Sequence, residues 1–374
     1  MQFIDLHKQF EQIEDKVRAG MDKVYEHKRF IMGPEIKELE ERLAEYTGVK
    51  HVIACASGTD ALTLPLMAKN LTKTDAIFVP SFTFFASAES VTLAGGTPVF
   101  VDSNVDTFNL DVTSLEETIK KTLAEGKLTP RGIIAVDLFG QPADHLAIQK
   151  IADDYNLFLL EDAAQGFGGE INGKKAGSFG EVAATSFFPA KPLGCYGDGG
   201  AIFTNDDALA ELIHSVHIHG QGSDKYDNVR IGLNSRLDTM QAVVLNAKME
   251  IFPDEVIARN EVAAEYSRQL AGVIKTPVVP EGYTSSWAQY TLTAKSEEQR
   301  TAIIEGLQKK DIPVMIYYPI PAHQSTAYKA ENKDLVLPVC EKLSKTVFSL
   351  PMHPYLTKEE ITMICDAVKE IING

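Results

Sequence analysis

Apolar and polar positions along the chain change period several times, and each change marks an element. Residues 3–28 mix charges with an apolar stripe, as a polar amphipathic helix does. PEIKELEERLAEYTG, from Pro34, reads as a second helix, with Pro in its first turn and Gly48 at its end. Short apolar runs then alternate with helical stretches. HVIACA (51–56) leads into the helix SGTDALTLPLMA, and AIFVP (76–80) into a helical stretch over 83–94. TPVFVD (97–102), GIIAVDLF (132–139), the amphipathic HLAIQKIADDY (145–155), LFLLED (157–162), EVAATSFF (181–188) and GGAIFTND (199–206) follow. Continuous Val, Ile, Leu and Phe runs separated by helices predict an α/β fold with a mostly parallel sheet covered on both faces. Ligands of such sheets bind at the carboxyl ends of the strands.

From Leu237 the pattern becomes one long helical stretch, interrupted at Pro253 and ending near Gly272. Pro277, Pro280 and Gly282 then mark a break. Beyond it a strand (287–294), a helix (297–309), a strand (312–317) and a closing helix (357–372) are enough for a small α+β domain. We assign residues 1–245 to a large domain and 246–374 to a small C-terminal one.

Composition narrows the partners. The 374 residues fit two domains at roughly 150 residues each. With 52 Asp and Glu against 36 Lys and Arg, the formal charge of −16 predicts a surface that repels nucleic acid and anionic membrane. The N-terminal segment has no signal-peptide core and no apolar run reaches the length of a membrane span, so a cytoplasmic location is expected. Cys55, Cys195, Cys340 and Cys365 lie far apart with no CxxC pair, which predicts reduced thiols and no metal site.

Three places could carry chemistry. Ser57-Gly58-Thr59-Asp60 lies between a strand and a helix, where amide N–H groups and the helix dipole suit a phosphate; it equally suits a plain helix cap. Glu161-Asp162 ends a very apolar strand, so one carboxylate is expected to be buried against a cation such as a protonated ring nitrogen, or to close a salt bridge. Lys191 follows another apolar strand among Phe, Pro and Gly, where desolvation would lower its pKa and make it a nucleophile toward carbonyls. Pyridoxal phosphate needs a lysine, an acidic partner for its ring nitrogen and a phosphate cradle, and all three occur here at strand ends. A nicotinamide-binding G-x-G-x-x-G is absent after the first strand.

SGTDAL (57–62), PSFTFFASAESV (80–91), EDAAQGFG (161–168), SFFPAKPLGCYGDGGAIFTND (186–206), HGQ (219–221) and NSRLDTMQA (234–242) resemble the successive motifs of the DegT/StrS family of nucleotide-sugar aminotransferases. The resemblance runs from FIDL (3–6) to LPMHPYL (350–356). It implies a fold-type-I pyridoxal-phosphate transferase with a mostly parallel seven-stranded sheet and a small α+β domain, working as a homodimer with shared sites. By that match Lys191 is the catalytic Schiff-base lysine, Asp162 pairs with the ring nitrogen and Gln165 reaches the ring hydroxyl. Gly58, Thr59 and Ser186 hold the phosphate with Asn234 of the partner subunit, and Phe84 lies against the ring. Arg236 is expected on a substrate anion or in an interface salt bridge. Tyr317 and Tyr318 stand on the substrate side, Tyr317 where other members carry His. Pro192 replaces the Asn common after the lysine.

The implied reaction moves an amino group from L-glutamate to a nucleotide-linked oxo-sugar in polysaccharide biosynthesis, O-antigen included. The dehydratase branch carries His in place of Lys191, which favours transamination here; a non-catalytic regulatory role would not need Lys191, Asp162 and Gln165 together. The segments FIDLHKQF, GPEIKELE and LPMHPYL are most similar to enzymes that aminate C3, with a 3-oxo-glucuronate carried on UDP as the first expectation and a dTDP-3-oxo-6-deoxyhexose as the second.

Overall fold

The computed structural model describes residues 1–224 and 226–374. Helix α1 (Leu6–His27) starts where the Asp5 carboxylate caps the amide of Lys8, and α2 (Pro34–Thr47) stops at Gly48, whose φ of 74° suits a residue without Cβ. The alternating part follows as β1 (His51–Cys55), α3 (Gly58–Ala68), β2 (Asp75–Pro80), α4 (Ala86–Leu93), β3 (Thr97–Val101), α5 (Val112–Glu125), β4 (Thr129–Val136), α6 (His145–Asp154) and β5 (Phe158–Asp162). A small hairpin, β6 (Glu170–Ile171) and β7 (Lys174–Lys175), separates these from β8 (Val182–Ser186), β9 (Gly200–Thr204) and α7 (Asp207–Val216).

Seven strands form one sheet in the order β1-β9-β8-β5-β4-β2-β3, with β9 antiparallel to both of its neighbours and the other pairings parallel. The period-2 alternation of a strand sends its apolar side chains to opposite faces. Ile53, Val79, Ile134, Leu160 and Ile202 pack with α3, α4 and α7 on one face. Ala54, Ala183 and Phe203 meet α2 on the other, where Phe78, Ile133 and Leu159 meet α5 and α6. Both faces are therefore dry, and the strand ends are the places left for polar chemistry.

The long helical stretch is two helices, α8 (Thr239–Met249) and α9 (Phe252–Leu270), broken at Glu250–Ile251 with Pro253 in the first turn of the second. Phe252 and Val256 belong to the core beside α2, whereas Val262, Tyr266 and Leu270 join a separate core. That second core is built with β11 (Tyr290–Thr293), α10 (Glu297–Gln308), β12 (Val347–Leu350) and α12 (Lys358–Asn373). Before it, β10 (Tyr283–Thr284) pairs with β6. Helix α11 (Pro338–Thr346) turns back to the large core through Cys340 and Leu343.

One expected strand is corrected. Residues 312–317 do not form a strand; Met315 alone exchanges hydrogen bonds with Ser349, and the strand that pairs with β11 is β12. Pro313 lacks an amide hydrogen and Pro319 and Pro321 follow, so the stretch cannot sustain a ladder. The four cysteines are buried and unpaired. Among the described residues no helix is long and apolar enough to cross a membrane.

Candidate active site

The loops after β1, β2, β4, β5 and β8 meet at the carboxyl ends of the parallel strands. After β1, Ser57 caps α3 by accepting from the Asp60 amide at 3.1 Å, which leaves the other amides of the first turn free for a ligand. The amides of Gly58 and Thr59 lie in the first helical turn, where no carbonyl of the helix can reach them. Gly58 faces the end of β8 so closely that a Cβ would stand 2.5 Å from that of Ser186 and 2.8 Å from its hydroxyl. Amides at the positive end of a helix and a serine hydroxyl are thereby held side by side.

After β5, Asp162 is 4% exposed. Its Oδ2 accepts from the Ser87 hydroxyl at 2.8 Å and its Oδ1 from the Ala164 amide at 3.2 Å. Burial raises its pKa, while Ser87, the Ala164 amide and the nearby Lys191 amine oppose that rise. The Lys191 amine is itself lowered by burial, with the Asp162 charge pulling the other way. A partly buried amine and a buried carboxylate are thus set within electrostatic reach of one another.

Gln165 is pinned on three sides. Its Oε1 accepts from the Phe139 amide at 2.9 Å, its Nε2 donates to the Tyr318 hydroxyl at 3.1 Å, and its carbonyl accepts from Ser286 at 2.6 Å. Phe84 is 55% exposed and its ring centroid lies 6.0 Å from that of Tyr318, with Tyr317 5.7 Å further along the aromatic cluster.

Asn234 and Arg236 are not hydrogen-bonded to this group. They form their own exposed pair, Arg236 Nε donating to Asn234 Oδ1 at 2.9 Å. Ser235 between them turns inward and donates to the Asp60 carboxylate at 2.6 Å, which fastens the segment beside the start of α3. Sequence reasoning did not find Ser87, Ser235, Ser286 or Phe139. A serine in an apolar helix and a backbone amide carry no local signal, and each acts on a residue far away in the chain.

The residues fit pyridoxal phosphate. Gly58 brings the first-turn amides of α3 against the Ser186 hydroxyl where any Cβ would clash, the buried carboxylate lacks a full cationic partner, and burial lowers the pKa of the lysine amine. A sheet of this topology with a lysine, an acid and helix-end amides at its strand ends fits the class of pyridoxal-phosphate-dependent enzymes.

The comparisons agree, and the chain belongs to the DegT/DnrJ/EryC1/StrS aminotransferase family, which matches residues 11–369. It is 46% identical to the UDP-2-acetamido-2-deoxy-3-oxo-D-glucuronate aminotransferase of Pseudomonas aeruginosa, covering 98% of this chain and 99% of the relative. A crystal structure of a family aminotransferase from Brucella abortus superposes with a TM-score of 0.97 at 49% identity, covering 100% of both chains. NtdA from Bacillus subtilis, solved with bound pyridoxamine phosphate, superposes with a TM-score of 0.89 at 29% identity, covering 100% of this chain and 83% of that one. The protein is a pyridoxal-phosphate-dependent aminotransferase of this family.

Proposed function

We propose that the protein transfers the amino group of L-glutamate to C3 of a nucleotide-linked 3-oxo-sugar, with UDP-2-acetamido-2-deoxy-3-oxo-glucuronate as the preferred acceptor. The observation that carries this reading is the 46% identity, over almost the whole chain, to an enzyme named for that substrate. The setting is cell-surface polysaccharide synthesis, O-antigen among its products, in the cytoplasm. Two copies share their sites. In that assembly Ile231, 86% exposed on the segment that leads to Asn234 and Arg236, would be covered. Residues 1–245 serve as the cofactor domain and 246–374 as the smaller one, a division supported by the separate core gathered between α9 and α12.

When bound, pyridoxal phosphate supplies an aldehyde for a lysine amine and an electron-withdrawing ring. Lys191 presents the amine, poised as a nucleophile by its burial, and its Nζ then carries a proton from the donor's α-carbon and returns one to the sugar carbon. Asp162 keeps the ring nitrogen protonated. Gln165 holds the ring hydroxyl, Gly58, Thr59 and Ser186 take the phosphate, and Phe84 covers the ring. Asn234 and Arg236 act from the partner subunit, Arg236 on the sugar carboxylate, with Tyr317 and Tyr318 beside the sugar.

Product analysis on an oxo-sugar panel tests the substrate. Amination of the UDP-linked 3-oxo-uronate ahead of a dTDP-linked 3-oxo-6-deoxyhexose is expected, and the reverse order overturns the assignment. Arg236→Ala is expected to erase that preference; an unchanged preference removes Arg236 from the carboxylate.

A further inference from the structure

Beneath the turn that carries Asp162 and Gln165 lies a set of ionisable side chains that the reaction above does not use. Asp137 follows β4, His145 opens α6 and Glu161 lies in β5; all three are buried, with one ligand atom of each within 4.8 Å of the others. His145 Nε2 and Asp137 Oδ1 are 2.7 Å apart, and the same oxygen accepts from the Ala143 amide at 2.9 Å. Glu161 accepts from the amides of Gly177 and Phe179, each at 2.8 Å. The imidazole stacks on Phe179 with centroids 4.5 Å apart and planes 3° from parallel.

This is not a metal site. Four-coordinate ligands bound at about 2.0–2.1 Å stand roughly 3.3 Å from one another, well beyond the 2.7 Å between His145 and Asp137. Both oxygens of Glu161 are moreover turned to amides. The set is organised by protons. Two ionised carboxylates cannot stand together in a dry interior without a cation; the Asp137 and Glu161 side chains hydrogen-bond to each other, which requires a proton on one of them, and His145 Nδ1 has no hydrogen-bond partner among the described residues. One proton shared between the two carboxyl groups, with His145 neutral, leaves the set a single negative charge.

The set is coupled to the turn above it. The Asp137 amide donates to the Asp162 carbonyl at 3.0 Å, and Glu161 precedes Asp162 in the chain. Gly166, next to Gln165, packs so tightly that a Cβ would stand 2.3 Å from that of Asp137.

We propose that Asp137, His145 and Glu161 form a proton-sharing positioning unit that clamps the turn 162–166 and, by retaining one proton, keeps Asp162 ionised beneath the cofactor ring. The second half of this proposal rests on the role of Asp162 given above; the first does not. The charged and titratable groups facing the unit are Asp162, Asp144 on the approach to α6, Lys174 on β7, whose amine lies 4.7 Å from the Phe179 ring centroid, and Tyr283 on β10. Burial pushes Asp137 up to about 8 and Glu161 well above the usual carboxylate range, and holds His145 below the ordinary imidazole value. A carboxyl group raised in this way binds its proton more tightly in the folded than in the unfolded chain. Its contribution to stability is complete at acid pH and is lost as pH rises toward its folded pKa.

Asp137→Asn keeps an acceptor for His145 and Ala143 and cannot ionise. In cofactor-free protein its melting temperature is expected to climb relative to wild type, by about 2 °C or more, as pH rises from about 5 to 8, and to run parallel beyond. A pH-independent difference overturns the shared proton, whatever Asp162 does. In the loaded enzyme the cofactor absorbance of the two proteins is expected to coincide below about pH 7 and to diverge above about pH 8, where only wild type gains a second charge. Coincidence throughout overturns the positioning role. Should Asp137→Asn fail to fold, infrared difference spectra of wild type decide: a buried protonated carboxyl band lost between about pH 6.5 and 9 supports the unit, and its absence overturns it.

Discussion

The balance at Asp162 rests on a hydrogen bond from a serine 75 residues earlier in the chain. Burial raises the carboxyl pKa and Ser87 lowers it, so the serine helps Asp162 stay ionised at neutral pH. A hydrogen bond to a charged group contributes about 1.5–3 kcal/mol, so Ser87→Ala is expected to lower kcat/KM roughly tenfold or more. Activity that needs an ionised Asp162 falls as pH drops through its pKa, and Ser87→Ala is therefore expected to move the acid limb of the pH–rate profile upward. An unmoved limb would separate Ser87 from the carboxylate. Lys191 and the Glu161-Asp162 pair stood out as candidates because polar residues break apolar runs at strand ends there; the choice of Asp162 and the role of Gln165 came from the family resemblance. Ser87 and Ser235 were not, because what they do depends on contacts across 75 and 175 residues.

At the scale of elements, the first turn of α3 and the end of β8 work as one surface. Gly58 is required by the contact between them, and a methyl group there forces the two apart. Overpacking of this kind costs about 1–3 kcal/mol, and Gly58→Ala is expected to weaken pyridoxal phosphate binding to the cofactor-free protein more than tenfold, as read by fluorescence titration. The alternating strands and helices were readable because strands buried on both faces become continuous apolar runs. The C-terminal pairing was not. MIYY (315–318) has strand composition but lies between Pro313 and Pro319, whereas the short VFSL that forms β12 stops at Pro351 and borrows its stability from β11. Phe348 on β12 is fully buried in the second core, and Phe348→Ala is expected to cost about 3–5 kcal/mol, visible as a lower melting temperature.

The whole molecule carries a formal charge of −16 yet belongs to a family whose relatives act on nucleotide-linked sugars, themselves anionic. In the proposed function attraction is short-range, from amides at the start of α3 and cations such as Arg236, because surface charges farther apart than about 10 Å are largely screened by salt. Ile231 is 86% exposed, on the segment that leads to Asn234 and Arg236. In the proposed dimer that segment meets the partner, and Ile231→Asp is expected to halve the molar mass seen by light scattering while also lowering activity. In the proposed function Lys191 carries the cofactor through both halves of an amino transfer. The direct measurement is the absorbance of the purified, cofactor-loaded protein: a yellow band should bleach with L-glutamate and return with the oxo-sugar, and borohydride should fix the cofactor to wild type but not to Lys191→Ala. A band indifferent to glutamate, or borohydride-stable cofactor retained by Lys191→Ala, would contradict it.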